Sequence, residues 1–145
     1  MQGENGLYAV AYQLPHVFLP GSSPGENAAV LEAMVELLVT VDRVYLRRRP
    51  NLRLPPLPEA VRYQRTDDWL PTPVLYFQGY GDCKSLAAHR IATLREKGKV
   101  AKPVFRFDER PTGFMYHILV QVSAGGFEDP SKECGMTGAS EWAHF

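Results

Sequence analysis

Six prolines fall between residues 50 and 73: Pro50, Pro55, Pro56, Pro58, Pro71 and Pro73. Each fixes φ and lacks an N–H, so no long helix or central strand can run through this stretch. The chain is thereby divided. A helical pattern precedes the prolines, a helix followed by strands comes after them, and the region between reads as a wrapped connection. It has room for short strands only, such as Val61-Arg62-Tyr63. Within it Asp67, Asp68 and Trp69 read as a surface loop with one anchoring aromatic, the alternative being that they line a cleft. At 145 residues, one domain spanning 1–145 is expected.

Upstream, Leu7 to Leu19 mixes apolar and β-favouring residues around Pro15, which suggests short edge-type strand pieces. Ser23-Pro24-Gly25-Glu26 is a helix start. Serine can cap, proline suits the first turn, and the glutamate three residues on completes a capping box. Val30, Met34, Leu37, Leu38, Val41 and Tyr45 then recur at helical spacing and predict the buried face. Arg47-Arg48-Arg49 precede Pro50, where positive charge complements the negative end of the helix dipole.

Charge excludes some functions. Sixteen basic residues balance sixteen acidic ones, so no general attraction to nucleic acid or to an anionic membrane is expected. No apolar run approaches the roughly 20 residues of a spanning helix. Met1-Gln2-Gly3-Glu4-Asn5 lacks the basic start and apolar run of a secretory signal, which points to a cytoplasmic setting. Two cysteines, Cys83 and Cys134, are too few for a disulfide scaffold, although one bridge between them remains open.

The second helix carries the chemistry. Asp82 is a natural N-cap and places Cys83 in the first turn; Leu86, Ala87, Ile91 and Leu94 form its apolar face, and Gly98 stops it. Strands are expected over Val100–Phe107 and Phe114–Val122, joined by a turn at residues 109–113. A turn at Gly125-Gly126 leads into Phe127-Glu128-Asp129, Pro130 ends that strand, and the remainder reads as irregular.

A cysteine attacks as thiolate. A helix N-terminus and a neighbouring imidazole both favour that form, and the first-turn N–H of Cys83 is free to serve an oxyanion. His117 lies inside the predicted strand, facing the same way as Leu119 and Gln121. If Ser123-Ala124-Gly125 is a three-residue hairpin loop, Val122 faces Gly126 and Leu119 faces Asp129. Asp129 then lies on the His117 face, diagonal to it; a one-residue slip would send it to the other face. The expected site is Cys83 as nucleophile, with its sulfur in hydrogen-bond reach of His117, His117 as base, and Asp129 as orienting carboxylate. Taken singly, Cys83 is equally a buried helix residue, His117 a satisfied core histidine and Asp129 a turn residue. Zinc ligation by Cys83, His117, Cys134 and His89 fits no usual spacing. Cys134 reads as a bystander, and His16, His89 and His144 as surface or packing residues.

Gly81-Asp82-Cys83-Lys84-Ser85-Leu86-Ala87, then Tyr116-His117, then Glu128-Asp129-Pro130 resemble the transglutaminase-like superfamily, with its papain-like order of cysteine on a helix and histidine and aspartate on strands. Asp42-Arg43-Val44-Tyr45-Leu46, Val61-Arg62-Tyr63-Gln64-Arg65, and the run from Glu128-Asp129-Pro130-Ser131 through Gly135-Met136 look like flanking segments of small phage- and prophage-encoded members. The resemblance covers roughly residues 30 to 136. It implies an α+β fold, with an antiparallel sheet, packed helices and the nucleophile at a helix N-terminus. It also implies thiol-dependent acyl or amide chemistry on a protein or peptide, as a peptidase, amidase or crosslinking transferase, without metal or organic cofactor. Where many relatives carry acidic residues after the cysteine, this chain has Lys84-Ser85. The superfamily completes its oxyanion hole with an upstream side chain, for which Trp69 and Gln78 are the candidates. A phage-encoded member would act in the host cytoplasm or the virion, beside other phage structural proteins. The alternatives are a non-catalytic structural or assembly component keeping the fold, and a binding module stabilised by a Cys83–Cys134 disulfide.

Overall fold

The computed structural model describes residues 23–111 and 113–144; the expected strand pieces at Leu7–Leu19, and His16 with them, lie outside the described residues. The first helix, α1 (Pro24–Arg47), starts at the expected capping box: the Ser23 hydroxyl accepts the Glu26 N–H at 3.1 Å, and the Glu26 carboxylate accepts the Ser23 N–H at 3.1 Å. Its buried face differs from the expected one. Leu31, Val35, Leu38, Val39 and Asp42 turn inward, while Leu37 and Val41 are 55% and 46% exposed. Apolar residues occupy adjacent faces of this helix, so periodicity alone could not choose between them. Polar partners decide the rotation. Asp42 accepts the Thr72 N–H at 2.8 Å, Glu36 pairs with Arg95, and Arg43 and Arg47 pair with Glu96.

The proline-rich stretch holds more regular structure than expected. It forms α2 (Leu57–Ala60), β1 (Arg62–Tyr63) and the start of α3 (Thr72–Gln78). Prolines that forbid a long helix suit a first turn, and Pro58 and Pro73 sit in the first turns of α2 and α3. Gly79 ends α3 at φ 77°, a left-handed conformation that favours glycine. The chain then forms β2 (Tyr80–Gly81), which pairs in parallel with β1, and enters α4 (Cys83–Glu96).

Helix α4 is the centre of the molecule. It packs against α1 and against the sheet, so every residue from Cys83 to His89 is buried. The antiparallel sheet consists of β3 (Lys102–Arg110), β4 (Gly113–Gln121), β5 (Phe127–Glu128) and β6 (Ala143–His144). Strand β4 pairs with β3 along one edge, and with both β5 and β6 along the other. Ile118 and Val120 of β4 meet Leu86 and Ile91 of α4 in the core. The architecture is α+β. Residues 130–144, expected to be irregular, form α5 (Pro130–Glu133), a short 3-10 turn (Ala139–Glu141) and β6. None of the helices formed by the described residues is long and apolar enough to cross a membrane.

Candidate active site

The hairpin after β4 has the register that brings His117 and Asp129 together. Val120 faces Glu128, Gln121 faces Phe127, and the Val122 N–H donates to Gly126 O at 2.9 Å, leaving Ser123-Ala124-Gly125 as the loop. Asp129 therefore falls on the His117 face. Its two carboxylate oxygens each lie 3.1 Å from His117 Nε2. A carboxylate only accepts, so Nε2 donates, and in the neutral ring Nδ1 is left as the acceptor. Nδ1 is buried and has no hydrogen-bond partner among the described residues.

Asp129 has a second task that sequence reasoning missed. It is the N-cap of α5 and accepts the Lys132 N–H at 3.1 Å. Burial alone would raise its pKa. The hydrogen bonds from His117 and Lys132, with the charges of both residues, outweigh burial and hold the carboxyl below its usual range.

Cys83 is the first residue of α4, as expected, but its setting is not the one expected. The residue is fully buried. The thiol does not reach a His117 nitrogen by hydrogen bond; its polar contacts are with the backbone of Ile118 and Ala143. Burial, and then the Asp82 carboxylate, push its pKa up; Lys84 and these backbone contacts pull the other way without cancelling the rise. Burial thus works against the poised thiolate that a first-turn position suggests.

The sheet explains where the sulfur sits. Strands β5 and β6 share one edge of β4, and between their ladder positions at Tyr116 and Val120 the pairing is interrupted. The Val122 N–H points to that edge; residues two apart on a strand point alike, so the Ile118 N–H points into the gap. The contacts of the Cys83 thiol with the backbone of Ile118 and Ala143 put the sulfur, and with it the N-terminus of α4, at this gap. On the His117 face, Trp142 stacks on the imidazole with ring centroids 5.5 Å apart and planes 19° apart.

Asp82 occupies the N-cap position, but its side chain does not cap. It turns to Lys84 Nζ at 2.5 Å and to the Thr66 N–H at 3.3 Å. Lys84, itself buried, also donates to Thr66 O at 2.6 Å and lies 5.7 Å over the Trp69 ring. Ser85 Oγ accepts the Leu70 N–H at 2.9 Å. Lys84 and Ser85, the residues that depart from the resemblance, thus clamp the 66–70 loop onto α4. In that loop Asp67 and Asp68 are exposed and Trp69 is half-buried. The other oxyanion candidate, Gln78, donates its amide N–H to Tyr80 O at 3.0 Å. Neither Trp69 nor Gln78 shares a hydrogen bond or ring contact with Cys83 or His117 among the described residues.

The remaining candidates stand apart. Cys134, at the end of α5, is free, as is Cys83; burial, then the Glu133 charge, push its thiol up to about 11. His89 is buried in α4. Its Nδ1 lies 2.8 Å from Thr72 Oγ1, and its Nε2 lies 3.4 Å from both Tyr76 OH and Thr93 Oγ1. Burial, then the Arg90 charge, lower its pKa to about 4. His144 is exposed on β6. The described residues bring together no group of three metal-ligating side chains. Trp142 and Tyr63, whose hydroxyl donates to Glu141 O, border the site and went unread in the sequence, because lone aromatics in short segments carry no periodic signal. No protein-family model matches the chain, and neither a curated protein nor a solved structure matches it.

Proposed function

We propose that the chain is a transglutaminase-like, papain-type thiol enzyme acting on amide or acyl groups of a protein or peptide. The observation that carries this reading is the His117 imidazole, fixed through Nε2 by Asp129 with a buried Nδ1 that has no hydrogen-bond partner among the described residues, together with a Cys83 at a helix N-terminus whose thiol meets the backbone of Ile118, the next residue on β4. In the reaction, His117 Nδ1 takes the Cys83 thiol proton and the sulfur attacks the substrate carbonyl carbon. The Cys83 N–H and the positive end of α4 face the developing oxyanion. The C–N bond breaks, the leaving amine takes the proton back from His117, and a thioester remains. Water or a second amine, deprotonated by His117, attacks the thioester, and the thiol regains its proton. Water gives an amidase or peptidase, and an amine gives a crosslinking transferase.

Asp129→Asn tests this. It keeps an oxygen to cap α5 but removes the charge that holds the imidazole. A charge-assisted hydrogen bond is worth about 1.5–3 kcal/mol, so Cys83 alkylation should slow on the order of tenfold or more, with the fold retained. Unchanged Cys83 reactivity per folded molecule would make Asp129 a helix cap alone. The full burial of Cys83 favours one second reading, a non-catalytic structural or assembly component. That reading predicts a slow thiol indifferent to His117 and Asp129.

A further inference from the structure

A nucleophile must come within roughly 3–3.5 Å of a substrate carbonyl, yet Cys83 is 0% and His117 3% exposed. Something must move. The elements around the sulfur differ sharply in how they are held. Helix α4 and the middle of β4 lie in the core. The segment 138–144 pairs with β4 at only two positions, Met115 with His144 and Tyr116 with Ala143. The backbone of Ala143 meets the Cys83 thiol, and Trp142 covers the His117 ring.

The manner of attachment is informative. Tyr63 OH donates to Glu141 O, Arg65 Nη1 to Trp142 O at 3.5 Å, and Arg110 Nη2 to Ala139 O at 3.3 Å. All three bonds end on backbone carbonyls, and the β6 ladder is itself backbone pairing. Ala139 O and Glu141 O belong to the 3-10 turn, while the bond to Trp142 O and the two β6 pairs hold extended chain by its backbone, with little regard to side chains. A sequence-specific clasp would instead grip side chains; here the side-chain contacts are the Trp142 stack and the small buried Ala143.

We propose that segment 138–144 is an internal pseudosubstrate: its extended end, residues 142–144, occupies the edge of β4 to which an extended polypeptide adds as a strand, and Cys83 becomes reactive only when the segment leaves. The proposal rests on the thiol-enzyme reading and narrows its substrate class to unfolded or extended polypeptide, paired with the edge of β4 and held through a backbone carbonyl by Arg65, with Tyr63 and Arg110 fastening the turn that keeps the segment closed.

The experiment is iodoacetamide alkylation of the whole chain at neutral pH, followed by mass spectrometry, with Cys134 as internal reference. Tyr63→Phe and Arg110→Ala each remove one carbonyl clamp. Each should speed Cys83 alkylation roughly three- to tenfold, the worth of one hydrogen bond to the closed state, and leave Cys134 unchanged. A synthetic peptide of sequence 138–144 should slow the faster variants again. Unchanged Cys83 rates in both variants, or equal acceleration of Cys83 and Cys134, would overturn the proposal. Arg110 is half-exposed and outside the core cluster, so its variant keeps the test open if Tyr63→Phe folds poorly. Adding His117→Ala to the Tyr63→Phe background separates the two claims. If the opened thiol reacts no more slowly without His117, the gate stands and the enzyme reading falls.

Discussion

Replacing Lys84 by methionine tests how the site is built. Lys84 Nζ lies 2.5 Å from Asp82 Oδ2, and the side chains are 3% and 0% exposed. At that distance and an effective dielectric of about 20, the attraction is on the order of 6–7 kcal/mol. Desolvation of the two ions offsets most of this, so the intact pair contributes little net stability. Removing one partner is different. Asp82 would keep backbone N–H groups alone, that of Thr66 at 3.3 Å and that of residue 84, and Thr66 O would lose its donor. The expected loss is about 3–5 kcal/mol. Burial already raises the Asp82 pKa, with the Lys84 charge and hydrogen bond opposing the rise. Without Lys84 it rises further, and the variant's deficit should shrink as falling pH protonates the carboxylate. Urea unfolding followed by circular dichroism at mildly acidic and mildly alkaline pH measures this. Asp82→Asn in the same chain should recover part of the loss. A deficit below about 1 kcal/mol, the range of an exposed pair, or one that does not change with pH, would refute the buried-pair argument.

Two further outcomes concern the frame around the site. Asp42 is pushed up to about 7 by burial, against the Thr72 hydrogen bonds, so it binds its proton more tightly folded than unfolded; the stability it contributes is full below its ordinary carboxyl range and is lost as pH rises through about 7. His89, lowered to about 4 by burial and by Arg90, contributes stability that is present above its ordinary imidazole range and is lost as pH falls through about 4. Between about pH 4 and 7 the two contributions run in opposite directions and largely cancel; Asp42→Asn removes the falling one, so thermal stability of that variant should rise with pH over this range, and a pH profile unchanged from the parent chain would remove Asp42 as a contributor. At Gly81 an added Cβ would meet Leu75 Cδ1 at 2.6 Å in a fully buried environment, so Gly81→Ala should cost about 1–3 kcal/mol by overpacking, and a neutral effect would show that the β2–α4 junction can relax.

Much of the site was legible in local chemistry. The capping box at Ser23 and Glu26 and the loop Ser123-Ala124-Gly125 each rest on a few adjacent residues, and the hairpin loop alone sets the parity that puts Asp129 beside His117. What went unread depends on contacts distant in sequence. The rotation of α1 is settled by Thr72, Arg95 and Glu96, none of which its own periodicity reports. Lys84 looks like a surface residue until Thr66 and Asp82 surround it. A helix start suggests an activated thiol, but Cys83 is buried, and the backbone its thiol meets, at Ile118 and Ala143, lies far along the chain, the latter some sixty positions away.

The most direct test of the central claim is covalent labelling of the whole chain by a peptide bearing an acyloxymethyl ketone, a carbonyl electrophile that needs an activated thiol. The account predicts one adduct at Cys83, faster in Arg110→Ala, lost in His117→Ala and absent from Cys134. Labelling of both cysteines at similar rates, or labelling of Cys83 that persists unchanged in His117→Ala, would contradict a Cys83–His117–Asp129 enzyme.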